Sequence, residues 1–348
     1  MSTDGVILVM GVTGAGKSYF VNQLKSRGVQ EEAKEGHSLR SGSYPWRFFE
    51  QNIRCVETTR CQAVQIFLDD EDDEDSDADG PRSVTIVDTP GFDDTERSDA
   101  EVFQEITEFL STQHALGIPL RGVLYLHKIT DNRVTGSSRT YLGLLEPLLG
   151  TEAMNNVILV TTMWYVMRGD LEGQGMRREG ELMNDYWRPL IDKGAIVSRF
   201  SGSPESAFSI VSKLAAKEPV VLKLQEETID SEKGLRKTAA GQNLLQRLET
   251  TKVEYTVQLM NLEQEIDEEA ARGNKLVVKA KEKESAEVRD LIKGIERSMA
   301  QLDVQPGPRI KQKIAQLKAR GLTTERAVGV LATLLNITLF VVRVAVGV

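Results

Sequence analysis

The sequence predicts an α/β protein: a mostly parallel six-stranded sheet with one antiparallel edge strand, followed by a helical extension. Three observations predict it. Short apolar runs recur at 6–10, 63–68, 84–87, 122–127, 157–161 and 195–200, with helix-patterned segments between most of them. The 63–68 and 84–87 runs are joined by an acidic stretch with no helical pattern, so these two strands are expected to pair antiparallel. From about residue 218 the apolar period changes to steps of three and four, the spacing of long helices.

The first strand, VILVM, leads into GVTGAGKS, Gly11 to Ser18, and then into the helical pattern YFVNQLKSRG. Strand, glycine-rich turn and helix in this order form a phosphate-binding P-loop. Backbone N–H groups of Thr13, Gly14, Ala15, Gly16, Lys17, Ser18 and Tyr19 are expected to face a β-phosphate, and glycine at 14 and 16 permits the close approach. Lys17 would neutralise β- and γ-oxygens, the Ser18 hydroxyl would ligate Mg2+, and the helix N-terminus would face the anion.

The acidic run DDEDDEDSDAD at 69–79 holds nine carboxylates, which by itself accounts for the net charge of −9. It reads as a solvated loop or as a docking site for a basic partner. The third strand then ends in VTIVDTPGFDD at 84–94. Asp88 is placed to hold Mg2+ through water, and the Gly91 amide to meet a γ-phosphate, which makes 91–98 the natural moving segment. With both motifs in this order the predicted fold class is a P-loop NTPase with a Ras-like G domain.

The remaining boundaries follow from composition: residues 1–217 as the G domain, 218–305 as a helical or coiled-coil region, 306–326 as a basic linker and 327–348 as a hydrophobic segment. Leu245, Leu248, Lys252, Tyr255, Leu259, Leu262 and Ile266 form one seam, and Val288, Ile292, Ile295, Met299 and Leu302 a second. Arg272, Gly273 and Asn274 interrupt them, so a helical hairpin and one long rod are both open. The 22 residues from Ala327 to Val348 carry Arg343 as their single charge, enough as a helix to cross a bilayer core. Basic residues 309–326 just before it fit the cytosolic side of a membrane. A tail anchor fits this segment, and so does a hydrophobic helix buried against the rest of the protein.

Two cysteines, Cys55 and Cys61, lack metal-site spacing and read as inert thiols in a reducing, cytosolic setting. No aromatic platform for nucleic acid is evident, and no nucleic-acid partner is expected.

The chain resembles the septin-like branch of the GTPases, which includes septins, the GIMAP immunity-associated GTPases and the chloroplast import receptors. GHSL, DTPGFDDT, YLHKITDNR, SRTYLGLLEPLLG, VTTMW and RFSGSPESA look like a fungal group of G-domain proteins with helical C-terminal extensions. The resemblance covers roughly residues 5–245. It implies GTP or GDP with Mg2+ as ligands, Thr58 as the switch I residue completing the Mg2+ shell, with Thr59 its rival, and a homodimer through the G domain, to which the coiled-coil region is expected to add. The aromatic stretch at 42–56 departs from the family pattern.

In the alignment with other GTPases, Thr162, Met163, Trp164 and Tyr165 fall where an N/T-K-x-D base-reading motif stands. Met163 can pack against a purine face, but Tyr165 replaces the aspartate that accepts bonds from guanine, so base discrimination should weaken. Asp170 and the RFSG segment at 199–202 are alternative contacts to the base. Phe92 stands where Ras-like enzymes place a water-orienting glutamine, so turnover should be slow. Among polar residues after the fourth strand, His127, Lys128, Asp131, Arg133 and Arg139 are candidates to face the cleft or a second subunit. A slow dimerising GTPase switch is the leading reading. A septin-like scaffold holding nucleotide as a stable cofactor and an ATPase with relaxed base choice are the alternatives.

Overall fold

The computed structural model describes residues 5–25, 61–70, 82–92, 97–131, 136–319, 327–335 and 338–346. Thr58, Thr59, Cys55, Arg133, the 42–56 stretch and most of the acidic run lie outside the described residues.

The apolar run at the start becomes β1 (Gly5–Gly11), buried at every position. It is central: β3 and β4 pair its two edges, and burial at successive positions means both faces are covered, which requires a continuous rather than alternating apolar pattern. After the glycine-rich turn, α1 runs from 17 to 25 within the described residues. Strand β2 (Gln62–Asp70) pairs antiparallel with β3 (Arg82–Asp88), Ala63 opposite Val87, as the missing helix between them predicts.

Helix α2 (Asp99–Ala115) is capped by Ser98, whose side chain accepts from the Glu101 amide. β4 (Leu120–Lys128), α3 (Gly136–Leu149) and β5 (Val157–Thr162) follow. Next come α4 (Glu172–Glu181), β6 (Ile196–Arg199) and α5 (Pro204–Ala215), the last capped by Ser203. β1, β3, β4, β5 and β6 run parallel. The chain therefore has the predicted α/β class, with five parallel strands and antiparallel β2.

The C-terminal third is helical. α6 (Ala239–Ala271) and α7 (Lys275–Gln301) form a hairpin, turned through Arg272 to Asn274 with Gly273 at φ +79°. A left-handed residue at this turn is the position glycine occupies at least cost. The seams meet as spaced: Leu262 and Val288 are buried, and Lys252 pairs with Glu296 at 2.7 Å. Residues 218–238 do not mark a break in packing. Gln225 donates to the Leu110 carbonyl of α2 at 3.0 Å, and Val220 pairs with Leu120.

The expected linker is largely a helix. α8 (Pro306–Ala319) begins at its two prolines, which suit a first turn whose N–H groups have no helical acceptor, and buries Ile310 and Ile314. The apolar segment after it is divided into α9 (Ala327–Leu335) and β7 (Thr338–Val346). β7 pairs parallel with β2, Gln62 opposite Thr338 through Asp70 opposite Val346, so the strand expected at the sheet edge lies one place inside it. The sheet order is β6-β5-β4-β1-β3-β2-β7. Among the described residues no helix is long and apolar enough to cross a membrane.

Candidate functional site

The glycine-rich turn stands at the carboxyl end of β1, between the ends of β3 and β4, where open parallel sheets place their ligands. Gly14 and Gly16 have φ of +79° and +88°, in the left-handed region that favours glycine. Beta carbons there would meet, at the nearest, Lys128 Nζ at 3.9 Å and Thr162 Oγ1 at 3.7 Å, so it is the left-handed backbone and not crowding that calls for glycine.

Lys17 is 6% exposed, and its ammonium donates to the carbonyls of Gly11 and Val12, 3.1 Å each. A buried ammonium of this kind is held by acceptors on the loop itself and stays directed at it. Ser18 follows in the first turn of α1. Asp88, 1% exposed, ends β3 opposite Val9 of β1, which sets its carboxylate beside the loop. Its field acts on Lys25 of α1, whose ammonium is nevertheless pushed below its ordinary range, chiefly by burial.

The DTPG segment is fastened to the loop. The Thr13 amide donates to the Phe92 carbonyl at 2.7 Å, and Val12 bridges Phe92. A beta carbon on Gly91 would stand 2.4 Å from Thr13 Oγ1 and 2.6 Å from its amide nitrogen, so a larger residue has no room. The amides of Thr13 and Ala15 are bonded within the protein, the latter to Val12 at 3.1 Å, which differs from the expected ring of inward-facing donors. Thr13 and Ala15 thus shape the turn.

Lysine, hydroxyl, acidic strand end and glycine turn fit a polyphosphate with one divalent ion. Among the described residues there is no group of three or more His, Cys, Asp or Glu able to hold a metal. Mg2+ suits such a site, since it keeps waters and takes phosphate oxygens beside one or two protein ligands.

At the other side of the loop, Thr162 donates from Oγ1 to the Ala15 carbonyl at 2.8 Å, anchoring the end of β5 to the turn. Met163 adopts φ +62°, a left-handed conformation uncommon for a residue with a side chain, and Tyr165 beyond it is 53% exposed. Beneath them lies a network the sequence did not announce. Glu179 of α4 accepts from Arg199 Nε at 2.8 Å and from Thr161 Oγ1 at 3.0 Å, and Arg199 lies over the Trp164 ring at 4.4 Å. These partners are far apart along the chain, so no spacing rule could have found them. Asp170 lies in the short turn Gly169–Leu171 after β5.

His127 is 2% exposed at the end of β4 and meets Trp187 edge-on, ring centroids 6.2 Å apart. Burial holds its imidazole below the ordinary range. Phe92 is likewise buried, stacked on Tyr141 at 4.4 Å. Lys128 pairs with Asp131 at 3.2 Å, and Arg139 donates to the Tyr186 hydroxyl at 2.9 Å. Cys61 is buried beside Glu105, and burial raises its thiol well above the usual range, so it is inert.

No family model matches the chain, and no curated protein matches it. Among solved structures it is similar to Toc33 from Arabidopsis thaliana in complex with GDP and Mg2+, at 17% identity and TM-score 0.40 over 64% of this chain and 88% of that one. It is also similar to translation elongation factor SelB from Methanococcus maripaludis in complex with a GTP analogue, at 13% identity and TM-score 0.32 over 63% of this chain and 36% of that one. The GTPase-like domain of Ski7 from S. cerevisiae, bound to GDP and inorganic phosphate, matches at 12% identity and TM-score 0.33 over 58% of this chain and 43% of that one.

Proposed function

We propose that this chain is a guanine-nucleotide-binding protein that takes GTP or GDP with Mg2+, hydrolyses GTP slowly, and pairs with a second copy through its G domain in the triphosphate state. The observation that carries the reading is the buried Lys17 ammonium at the turn between β1 and α1, with Ser18 beside it and Asp88 on the neighbouring strand. A cation enclosed by backbone at a helix N-terminus is chemistry for a polyphosphate.

Mg2+ bound with the nucleotide would draw charge from the β- and γ-oxygens. Lys17 holds the anion, and Ser18 and Asp88 are the residues that would hold the ion. Gly91, which lies against Thr13, would register the terminal phosphate. Slow turnover follows from Phe92: a buried phenyl ring stacked on Tyr141 cannot orient an attacking water.

Lys17→Ala should weaken binding of a fluorescent guanine nucleotide by at least about a hundredfold, since it removes charge-assisted contacts to more than one oxygen. Unchanged affinity would remove the basis of the proposal. Size-exclusion profiles with GDP and with a non-hydrolysable GTP analogue should differ. Identical elution across a wide protein concentration would leave nucleotide binding standing and defeat the switch.

A further inference from the structure

We infer that the base of the bound nucleotide sits in an aromatic slot between Tyr19 and Tyr165 at Gly202 and is held by stacking, so the site takes purine nucleoside triphosphates without selecting guanine. The inference rests on nucleotide binding at the phosphate loop as proposed above; it keeps GTP as a ligand and adds that other purine triphosphates can take its place.

The fold fixes which way the nucleoside must lie. The end of β5 is bonded to the phosphate loop through Thr162, and β6 is the next strand outward. The loops after β5 and β6 therefore border the loop on the side of α1, where Tyr19 is the second residue after Lys17. Tyr19 reaches the loop after β6: its hydroxyl donates to the Gly202 carbonyl at 3.1 Å, and its ring packs beside Phe200, centroids 6.0 Å apart. Gly202 has φ +93°, and a beta carbon there would stand 3.9 Å from the Tyr19 ring and 4.0 Å from the Tyr165 ring. Gly202 thus lies beside both tyrosines, and a side chain there would take up the space next to their rings.

Where other GTPases carry the base-reading aspartate, this chain carries Tyr165. Guanine selection needs an acceptor for both N1–H and the 2-amino group, a task for a carboxylate. Tyr165 has one hydroxyl. Glu179 is engaged by Arg199 and Thr161, and Asp131 by Lys128. A stack, by contrast, needs only a flat π-face, which every purine offers, and contributes about 1–3 kcal/mol per base.

Competition against a fluorescent purine triphosphate tests this with the full-length chain and Mg2+. GTP, ATP and inosine triphosphate, which lacks the 2-amino group, should compete within about fivefold of one another, and CTP at least about tenfold more weakly. Tyr165→Ala should weaken all three purines about tenfold while inorganic tripolyphosphate competes as before. Tyr165→Asp should raise the preference for GTP over inosine triphosphate at least about tenfold, the effect of a charge-assisted bond to the amino group. The inference is overturned if wild type prefers GTP to inosine triphosphate a hundredfold, because a carboxylate such as Asp131 or Asp170 then reads the base. It also fails if Tyr165→Ala leaves purine affinity unchanged. Loss of tripolyphosphate competition together with all nucleotide binding, in wild type, would instead sink the phosphate site and this slot with it.

Discussion

Gly91 and His127 show what one residue can decide in this structure. Gly91 is pressed against Thr13, where an added carbon would meet backbone nitrogen at 2.6 Å and backbone Cα at 2.7 Å. Backbone cannot swing aside as a side chain can, so Gly91→Ala must part the DTPG segment from the phosphate loop. A cost of about 1–3 kcal/mol is expected, typical of overpacking. Urea denaturation would show it as a lower midpoint at unchanged slope. His127 makes a different prediction. Its folded imidazole is held below the ordinary value of 6.5, chiefly by burial, so the unfolded chain binds the proton more readily. Stability from this residue is complete above about pH 6.5 and is lost as pH falls through the folded value. The drop in stability between pH 7.5 and pH 5.5 should shrink in His127→Gln, and an equal drop in both proteins would contradict the burial argument. The residue types of the phosphate loop were legible because their chemistry is local. The burial of His127 against Trp187 was not legible, because strand alternation does not say which buried face a polar residue meets.

At the scale of elements, the helical hairpin was legible in its seams and its glycine turn, but its attachment was not. Gln301, at the end of α7, accepts from Ser98 Oγ at 2.8 Å and donates to Glu101 at 2.8 Å, across 203 and 200 residues of sequence. Ser98 is also the cap of α2, so α7 steadies the first turn of the helix that follows the DTPG segment. From α6, Arg247 reaches α3: a beta carbon on Gly143 would stand 2.5 Å from its guanidinium, and Tyr141 and Asp99 both favour its charge against a dominant burial cost. No periodicity encodes contacts of this kind. Gln301→Ala should lower stability by about 1–2 kcal/mol through two lost hydrogen bonds, and should speed amide exchange at residues 99–102 more than in β1. Equal protection of those amides in both proteins would mean that α2 holds its first turn without the hairpin. The ion pairs along α6 and α7, such as Arg289 to Glu263 at 2.7 Å, are solvent-exposed on both partners and add little.

At the scale of the whole molecule, the decisive event is the division of the last apolar segment. Twenty-two residues of almost unbroken hydrophobicity satisfy the length rule for a bilayer helix, which is why composition points to a tail anchor. Composition cannot register a vacant row of donors and acceptors elsewhere in the chain, and β2 has one. Valine, phenylalanine and threonine dominate Thr338–Val346, and β-branched and aromatic side chains favour a strand over a helix in water. β2 and β7 pair over nine positions, and this covers the edge that β2 would otherwise present. A segment paired in this way cannot at the same time be a helix across a bilayer, because each backbone group has only one set of partners. Deleting residues 327–348 should therefore expose β2 and make the shortened chain associate, seen as a shift to larger species by light scattering as concentration rises. Adding lysine at an outward position of β2 in the shortened chain should reverse this added association, since a charge on an open edge blocks strand addition. If the deleted chain stays monomeric and equally stable, β7 does not guard the edge, and the apolar segment is free for another surface.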